Sequence, residues 1–219
     1  MADAREPVVV IGLGRFGTAL ALELAERGHE VLAVDRSDAR VQALSGQLTQ
    51  VVAADSTDID ALRQLGVQDF YRAVVAIGSE LEPSILTTSL LVELEIEDIW
   101  AKAVSDHHGR ILRRIGAHHV VFPEHEMGER VAHLLSGQLL DYMPIDTDFA
   151  LAKIRPPHSA VGVPLAESRL RSRHGVTAVA VKREDGSFTY AGQDTVLSHD
   201  DTILIVGREA DIERLVTRS

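Results

Sequence analysis

The chain has 219 residues, of which 45% are hydrophobic, and its formal net charge at pH 7 is −11. This length fits one large domain or two small ones with real hydrophobic cores. The chain contains no cysteine, which excludes disulfides, thiolate metal sites and cysteine nucleophiles and is typical of a cytoplasmic protein. The acidic surplus argues against nucleic acid as a partner, because phosphate neutralisation requires a basic face. The apolar runs stay far below the roughly 18 residues of a membrane-spanning helix, so we expect no transmembrane segment.

A glycine-rich motif near the start of the chain predicts a nucleotide site. An apolar run of strand length leads into Gly12, Gly14 and Gly17, which follow the spacing G-x-G-x-x-G, and a helical pattern comes next. A second apolar strand, residues 31–34, ends on Asp35 about 20 residues further on, as the dinucleotide-binding fingerprint expects. In this fingerprint the first glycine permits a tight turn, the second lets a phosphate approach the backbone, and the third allows close helix–strand packing. The motif therefore predicts an adenosine-type nucleotide at a helix N-terminus.

Strands and helices alternate from the motif to about residue 122. The predicted strands are residues 8–11, 31–34, 49–54, 73–77, 99–103 and 119–122. The predicted helices between them are residues 18–25, 39–44, 59–65, 82–94 and 108–115. This alternation predicts an α/β fold with a Rossmann-like, doubly wound parallel sheet.

The predicted sheet brings several polar strand ends to one edge. Ligands of doubly wound sheets bind at the carboxyl ends of the strands, and five strand ends in this register carry glycine or polar residues. The predicted nucleotide site consists of these strand-end residues and their neighbours: Gly12, Gly14, Arg15, Phe16, Gly17, Asp35, Arg36, Asp55, Ser56, Ile77, Gly78, Ser79 and Lys102.

The residues after the sixth strand follow a different pattern. A helix with an apolar stripe is predicted from Glu124 to about Leu140, and no second series of alternating strands and helices follows it. Shorter elements are predicted instead: a strand at 149–154, a helix at 165–170, a strand at 176–181, a turn at 184–187, a strand at 202–207 and a helix at 208–216. We therefore divide the chain into a nucleotide-binding lobe at residues 1–124, a linking helix at 125–142 and a small α+β lobe at 143–219.

Several residues of the predicted site each have a competing structural role. Asp35 has the side chain that accepts hydrogen bonds from a ribose diol, but it could also cap the following helix. Asp55, with Ser56, could read an adenine amino group or cap a helix, and the sequence does not separate these roles. Arg15 could contact a terminal phosphate through a charge-assisted bond or lie solvated on the first helical turn. A cation at Arg15 favours ATP or ADP over NAD, and the acid at Asp35 disfavours the 2′-phosphate of NADP.

The sequence offers no catalytic constellation. The histidines at 107–108, 118–119 and 125 do not form the helical i, i+4 pair beside a glutamate that a zinc enzyme uses. Glu124 and Glu126 are better candidates for a hard cation near bound phosphates. We find no nucleophile–base pair and no second domain large enough for the substrate half of a dehydrogenase. We expect a binding protein rather than an enzyme, with an NAD(H)-dependent oxidoreductase or a redox sensor as the alternative.

Five stretches of the chain together match one family: residues 10–17, 28–35, 75–78, 99–103 and 123–128. In this combination the chain resembles the KTN/RCK family, the cytosolic regulatory subunits of Ktr- and Trk-type potassium uptake systems. The resemblance covers essentially the whole chain, and a single pair of lobes without tandem duplication is typical of the Ktr subunits. It implies a non-enzymatic role, and a location at the cytoplasmic face of the membrane through a potassium-transporting membrane partner.

The resemblance also implies how such a subunit works. The subunits form dimers that assemble into an octameric ring beneath the membrane protein, and ATP or ADP changes the shape of the ring and so controls the pore. By matching position, the motif glycines form the phosphate loop, Asp35 holds the ribose, and Arg15 contacts the terminal phosphate. Glu124 would hold a divalent or monovalent cation at the nucleotide interface between subunits. The C-lobe of the family often binds cyclic di-AMP, and the corresponding residues here are Leu170, Arg171, His174, Val176 and Thr177.

Overall fold

The chain divides into two units, Met1–Glu124 and His125–Ser219. The structure, a computed structural model, describes residues 6–78, 80–135 and 139–217. Ser79, which belongs to the predicted nucleotide site, lies outside the described residues. Within these ranges, no helix combines the length and the apolar character that crossing a bilayer requires.

The described part of the first unit contains a six-stranded parallel sheet with helices between its strands. The strands are β1 (Val8–Ile11), β2 (Val31–Asp35), β3 (Gln50–Ala53), β4 (Arg72–Val75), β5 (Asp98–Lys102) and β6 (His119–Val121). The helices are α1 (Arg15–Glu26), α2 (Asp38–Leu44), α3 (Ile59–Gln64), α4 (Leu81–Glu93) and α5 (Asp106–Ile115). The strand order is β3-β2-β1-β4-β5-β6, which is the doubly wound order of dinucleotide-binding folds. The predicted Rossmann-like α/β fold is confirmed.

The central strands of this sheet fix the position of the loops that follow them. All residues of β1 are buried, from Val8 to Ile11, because helices cover both faces of a parallel sheet. Backbone hydrogen bonds continue just past the strand ends: the N–H of Gly12 donates to Val34, and that of Ala76 donates to Ile11, both at 2.7 Å. The loops after β1, β2 and β4 therefore leave the sheet from one well-ordered edge.

The second unit is built on an antiparallel sheet with the order β10-β9-β11-β8-β7 over its described residues. The strands are β7 (Leu139–Asp146), β8 (Phe149–Ile154), β9 (Thr177–Lys182), β10 (Phe188–Tyr190) and β11 (Thr202–Arg208). The helices are α6 (Pro123–Leu135), which starts two residues before the division, α7 (Leu165–Ser168), α8 (Leu170–His174) and α9 (Glu209–Thr217). The small α+β lobe expected from the sequence is confirmed.

The linking helix predicted at residues 125–142 is wrong in its second part. Helix α6 ends at Leu135, whereas β7 begins at Leu139 and pairs antiparallel with β8. Leu139 follows Leu135 by four residues, so it continues the apolar stripe of a helix in the sequence. For this reason the sequence pattern does not indicate the change from helix to strand. In the strand, Leu139 and Tyr142 are buried in the core of the second unit. This tertiary burial, which local periodicity does not report, decides the conformation.

The helix predicted at residues 165–170 is split into α7 and α8. Arg169 lies between them with φ +56°, in the left-handed region that side chains rarely adopt. The hydroxyl of Ser168 donates to the carbonyl of Leu165 at 2.7 Å and so closes the first short helix. The turn brings Leu170, at the start of α8, into the core.

Candidate nucleotide-binding site

The loop after β1 is shaped by its three glycines. Gly12 has φ +97°, a conformation that glycine adopts without steric cost. A Cβ atom on Gly17 would lie 1.9 Å from the carbonyl oxygen of Gly12, so the first turn of α1 packs directly on the loop backbone. A Cβ atom on Gly14 would meet no heavy atom within 4 Å, so this side of the loop is open. A ligand on the open side can reach the N-terminal N–H groups of α1, which favour an anion.

A cavity of about 630 Å³ opens beside this loop at the carboxyl ends of the strands. This volume is typical of small-molecule sites. Its wall brings together most of the predicted site residues: Gly12, Gly14, Arg15, Phe16, Asp35, Arg36, Asp55, Ser56, Ile77, Gly78, Lys102 and Glu124. Gly17 is not part of the wall, because it packs beneath the loop against Gly12.

The sequence did not indicate several wall residues that lie on helices and in loops. They include Arg40 on α2, Glu80 and Pro83 around the start of α4, and Val104 after β5. Arg40 lies five residues after Asp35, in the first turn of α2, so its nearness in the sequence could have indicated it. Glu80 carries no such local signal, because its place in the wall depends on the pairing of β4 with β1.

Asp35 fastens the glycine loop to the end of β2. Its carboxylate is 5% exposed and accepts hydrogen bonds from the backbone N–H of Leu13 at 2.6 Å and of Ser37 at 2.8 Å. Arg40 also donates to it at 3.2 Å. The competing role as a helix cap does not apply, because Ser37 occupies the N-cap position of α2. The ribose contact of Asp35 stays a prediction, and the carboxylate lies in the wall where such a contact would form.

Asp55 and Ser56 line the cavity at the end of β3, and neither caps α3. Asp58 does so, since its side chain accepts hydrogen bonds from the N–H groups of Asp60 and Ala61. The carboxylate of Asp55 accepts from the hydroxyl of Thr57 at 2.7 Å and from its N–H at 2.9 Å. The hydroxyl bond is the main reason why the pKa of Asp55 lies below its ordinary value. The carboxylate is thus held ionised as a hydrogen-bond acceptor, which is what an adenine amino group requires.

The charges of the wall leave one basic side chain without an acidic partner. The wall has four basic and four acidic side chains, and three ion pairs form among them: Arg36–Glu80, Arg40–Asp35 and Lys102–Glu124. Among the described residues of the wall, Arg15 is the basic residue that lacks a carboxylate partner. It is exposed at the first position of α1. An anion in the cavity can therefore use Arg15 without displacing a carboxylate.

Lys102 is the buried cation of the cavity. Its Nζ lies 2.5 Å from Oε1 of Glu124 and 5.8 Å from the centroid of the Phe16 ring. Gly78 leaves room for it, because a Cβ atom there would lie 2.9 Å from this Nζ. The hydrogen bond from Lys102 holds the pKa of Glu124 below its ordinary value of 4.5, and Arg15 adds a smaller Coulombic contribution. Any cation bound by Glu124 would compete with Lys102.

The residues predicted for cyclic di-AMP do not share one environment. Leu170 and Val176 are 3% and 0% exposed and pack in the hydrophobic core of the second unit, so their side chains do not face a ligand. Arg171 is exposed, and His174 and Thr177 are half-buried. Only these last three side chains are available to a ligand of the kind predicted.

Comparison with known proteins agrees with both units. The TrkA-N domain model matches residues 8–123, and the TrkA-C domain model matches residues 149–218. The Ktr system potassium uptake protein C of Bacillus subtilis (strain 168) is 35% identical over 215 residues, which cover 98% of this chain and 97% of that protein.

Two solved structures share the fold. The GsuK RCK domain superposes with a TM-score of 0.66 at 21% identity, over 99% of this chain and 48% of that chain. A GsuK channel bound to NAD superposes with a TM-score of 0.64 at 22% identity, over 99% of this chain and 40% of that chain. This chain thus spans about half or less of those chains, and at such identity the likeness shows the fold alone. The resemblance to the KTN/RCK family is confirmed, and the chain belongs to the family of potassium uptake proteins that combine a TrkA-N domain with a TrkA-C domain.

Proposed function

We propose that this chain is a nucleotide-sensing regulatory subunit of a potassium transporter, which binds ATP or ADP in the cavity of the first unit and performs no catalysis. The observation that carries the proposal is Arg15, a cation without a carboxylate partner among the described wall residues, next to the open backbone of Gly14. The Bacillus relative is a potassium uptake protein of the Ktr system. The partner is a potassium-transporting membrane protein, and the chain acts at the cytoplasmic face of the membrane.

Regulation by nucleotide requires a ligand-dependent difference between two states. A ligand shifts an equilibrium only by the difference between its affinities for the two conformations. ATP carries one more phosphate group than ADP, and Arg15 is the group placed to form a charge-assisted bond with it. The Lys102–Glu124 pair is the second element that an added phosphate would disturb, because both side chains lie in the cavity wall.

Calorimetric titration of the full-length protein with ATP and with ADP tests this proposal. We expect ATP to bind more tightly than ADP, and we expect Arg15→Ala to reduce this preference about tenfold, which corresponds to the roughly 1.4 kcal/mol of one charge-assisted bond. Arg27→Ala is the matched control, since Arg27 follows α1 and pairs with Glu23. Equal loss of affinity for both nucleotides in Arg15→Ala would contradict the role of Arg15.

NAD(H) is a second candidate ligand. A channel of the same fold was solved bound to NAD, and Asp35 stands where the fingerprint places the acid that binds ribose. The same calorimetric series with NAD and NADH separates the two hypotheses. Tighter binding of either dinucleotide than of ATP would favour a redox sensor, whereas tight ATP binding without hydride transfer supports the proposed function.

We further propose a cation beside the bound phosphates at Glu124. The carboxylate lines the cavity and its side chain is 62% exposed, so an ion can reach it from solvent. Since Lys102 already neutralises this carboxylate, the ion would bind only together with a nucleotide that draws Lys102 towards its phosphates. Calorimetry of ATP binding with and without Mg²⁺, and with Na⁺ in place of K⁺, checks this. Glu124→Gln should remove the cation dependence and keep ATP binding.

Self-association through α6 is proposed as the first step towards a ring. Met127, Val131 and Leu135 follow one another by one helical turn, and they are 53%, 42% and 80% exposed. An exposed apolar stripe of this kind is typical of a protein–protein interface. Light scattering of the protein with and without ATP should give a dimer or a larger assembly, and Val131→Glu should reduce its size. A monomer under both conditions would exclude a ring.

Cyclic di-AMP is proposed as a second ligand, which would contact Arg171, His174 and Thr177. Arg171 supplies a positive charge for a phosphate and is exposed. Calorimetric titration with cyclic di-AMP tests this, and we expect Arg171→Ala to weaken binding while Arg155→Ala leaves it unchanged.

A further inference from the structure

A separate group of metal-ligating side chains lies in the second unit. His133 on α6 and Glu209 and Glu213 on α9 each offer one ligand atom, and these three atoms lie within 4.8 Å of one another. Nε2 of His133 is 3.2 Å from Oε1 of Glu209, and Nδ1 is 4.0 Å from Oε1 of Glu213. Glu209 and Glu213 are four residues apart on one helix, a spacing that places both carboxylates on the same face.

Tyr142 holds two of these side chains in position. Its ring stacks on the imidazole of His133 with a centroid distance of 4.1 Å and an interplanar angle of 25°. Its hydroxyl donates a hydrogen bond to Oε1 of Glu209 at 3.0 Å. Tyr142 is itself buried, with 6% of its surface exposed. Outer groups that orient ligands in this way are typical of metal centres, where they raise metal affinity.

The charge of the group favours a cation. No lysine or arginine in the described ranges forms an ion pair with Glu209 or Glu213, and His133 is their only basic contact. Other carboxylates of the same unit have a full cationic partner: Asp141 pairs with Arg130, and Asp201 pairs with Arg183. Two carboxylates therefore face one imidazole.

We propose that His133, Glu209 and Glu213 bind a first-row divalent metal ion, and that they bind Zn²⁺ in preference to Co²⁺ and Mg²⁺. An imidazole with two carboxylates is a ligand set for a borderline metal and not for Mg²⁺ or Ca²⁺, which prefer oxygen ligands alone. Three protein ligands leave one tetrahedral position for water. Bond lengths of about 2.0–2.2 Å place neighbouring ligand atoms roughly 3.4 Å apart. The distance of 3.2 Å between Nε2 of His133 and Oε1 of Glu209 is close to this separation, and the three ligand atoms lie within 4.8 Å of one another, so rotations of the side chains would complete the site.

Such an ion would join α6 to α9 and stabilise the second unit. A ligand that binds the folded state and not the unfolded chain raises the unfolding temperature in proportion to the logarithm of its concentration. The ion is expected to have this effect in the absence of any nucleotide, so the site does not depend on the proposed function of the first unit.

The experiment uses the full chain, produced without a histidine tag and freed of metal by a chelator. Calorimetry with Zn²⁺ should give one site per chain, and Co²⁺ should give the intense visible absorption of a four-coordinate ion. Mg²⁺ in excess should neither compete nor raise the unfolding temperature. His133→Gln and Glu213→Gln should each weaken Zn²⁺ binding at least tenfold and abolish the Co²⁺ spectrum.

His125→Gln is the matched control, because His125 lies on the same helix and pairs with Glu129 at 3.5 Å rather than with Glu209 or Glu213. It should bind Zn²⁺ like the unchanged chain. Unfolding curves of all variants in chelator show whether each is folded, and the Co²⁺ spectrum of the unchanged chain tests the proposal without any variant. Absence of that spectrum, Zn²⁺ binding that survives both substitutions, or equal loss in His125→Gln would overturn the proposal.

Discussion

The two candidate sites of the molecule depend on different parts of the chain, one on its backbone and the other on its side chains. The cavity of the first unit depends on backbone shape, since Gly12, Gly14 and Gly17 place the start of α1 beside an open space. The group in the second unit depends on side chains, since His133 and Glu209 come from helices far apart in the sequence. Their charges also differ, because Arg15 forms no ion pair within the described cavity wall, whereas the group has two carboxylates and one imidazole. The first site therefore suits an anion and the second a cation, and we expect a substitution in one site to leave binding at the other unchanged.

The largest effect is expected from Gly17→Ala. The added Cβ would lie 1.9 Å from the carbonyl oxygen of Gly12. A backbone carbonyl cannot move aside as a flexible side chain can, so we expect a loss of roughly 3 kcal/mol in the free energy of unfolding. Denaturant unfolding measures it. Gly14→Ala is the control in the same loop, because its Cβ meets nothing within 4 Å. It should fold normally and bind nucleotide more weakly, while Zn²⁺ binding stays unchanged. Equal stability of the two variants would contradict this account of the loop.

A smaller effect is expected from Asp35→Asn. The two carboxylate oxygens accept separate backbone N–H groups, from Leu13 and Ser37, and an amide retains only one acceptor oxygen. One buried donor is left unsatisfied, at a cost of about 1–3 kcal/mol in the free energy of unfolding. Asp38→Asn, on the exposed start of α2, should change it by less than about 1 kcal/mol. Thermal unfolding of both variants checks this, and the idea that Asp35 fastens the loop is wrong if they behave alike.

Tyr142→Phe should affect only the second unit. The variant keeps the ring that stacks on His133 but loses the hydroxyl that orients Glu209. Removal of an outer group that orients a metal ligand typically lowers metal affinity about 10-fold to 100-fold. The lower value is expected here because Glu213 is unaffected. Calorimetry with Zn²⁺ measures the change, and ATP binding in the first unit serves as the internal control. A weaker ATP affinity would show that the two sites are not independent.

The smallest effect is expected from the pH dependence of the Lys102–Glu124 pair. The bond from Lys102 lowers the pKa of Glu124 in the folded chain below 4.5, so its stabilising contribution is fully present above pH 4.5 and is lost as the pH falls through the folded value. The contribution should stay below about 1 kcal/mol, because the Glu124 side chain is 62% exposed. Urea unfolding between pH 7 and 3 measures this contribution. The free energy of unfolding should fall less with decreasing pH in Glu124→Gln than in the control Glu82→Gln.

The fold of the first unit could be predicted because its signals are local. The spacing of Gly12, Gly14 and Gly17, and the acid at Asp35, follow from contacts within one strand–helix–strand unit. The cavity wall followed from the rule that strand ends of a parallel sheet meet at one edge. The sequence left open whether Asp55 is a capping residue, because Asp55 and Asp58 both precede α3, and the structure assigns the cap to Asp58.

The second unit was harder to predict because its determinants are distant in sequence. Leu139 belongs to β7 through burial against other strands, and nothing in its immediate neighbours indicates that. The group around His133 could not be predicted, because its imidazole and its two carboxylates lie on helices far apart in the sequence. Glu209 and Glu213 show the i, i+4 spacing of a ligand pair, but the imidazole that faces them comes from another helix. Only the tertiary structure joins these residues.

The hydrogen bond between Tyr142 and Glu209 also has a consequence for the synthesis of the protein. It connects the first strand of the second unit with its last helix, across 67 residues of sequence, and α9 adds Ile212 and Leu215 to the core. Contacts of such long range form only once both partners have left the ribosome. The first unit can fold while the chain is still being made, whereas the second must wait for α9. A premature stop just before α9 would therefore leave a folded N-terminal half attached to an unfinished one.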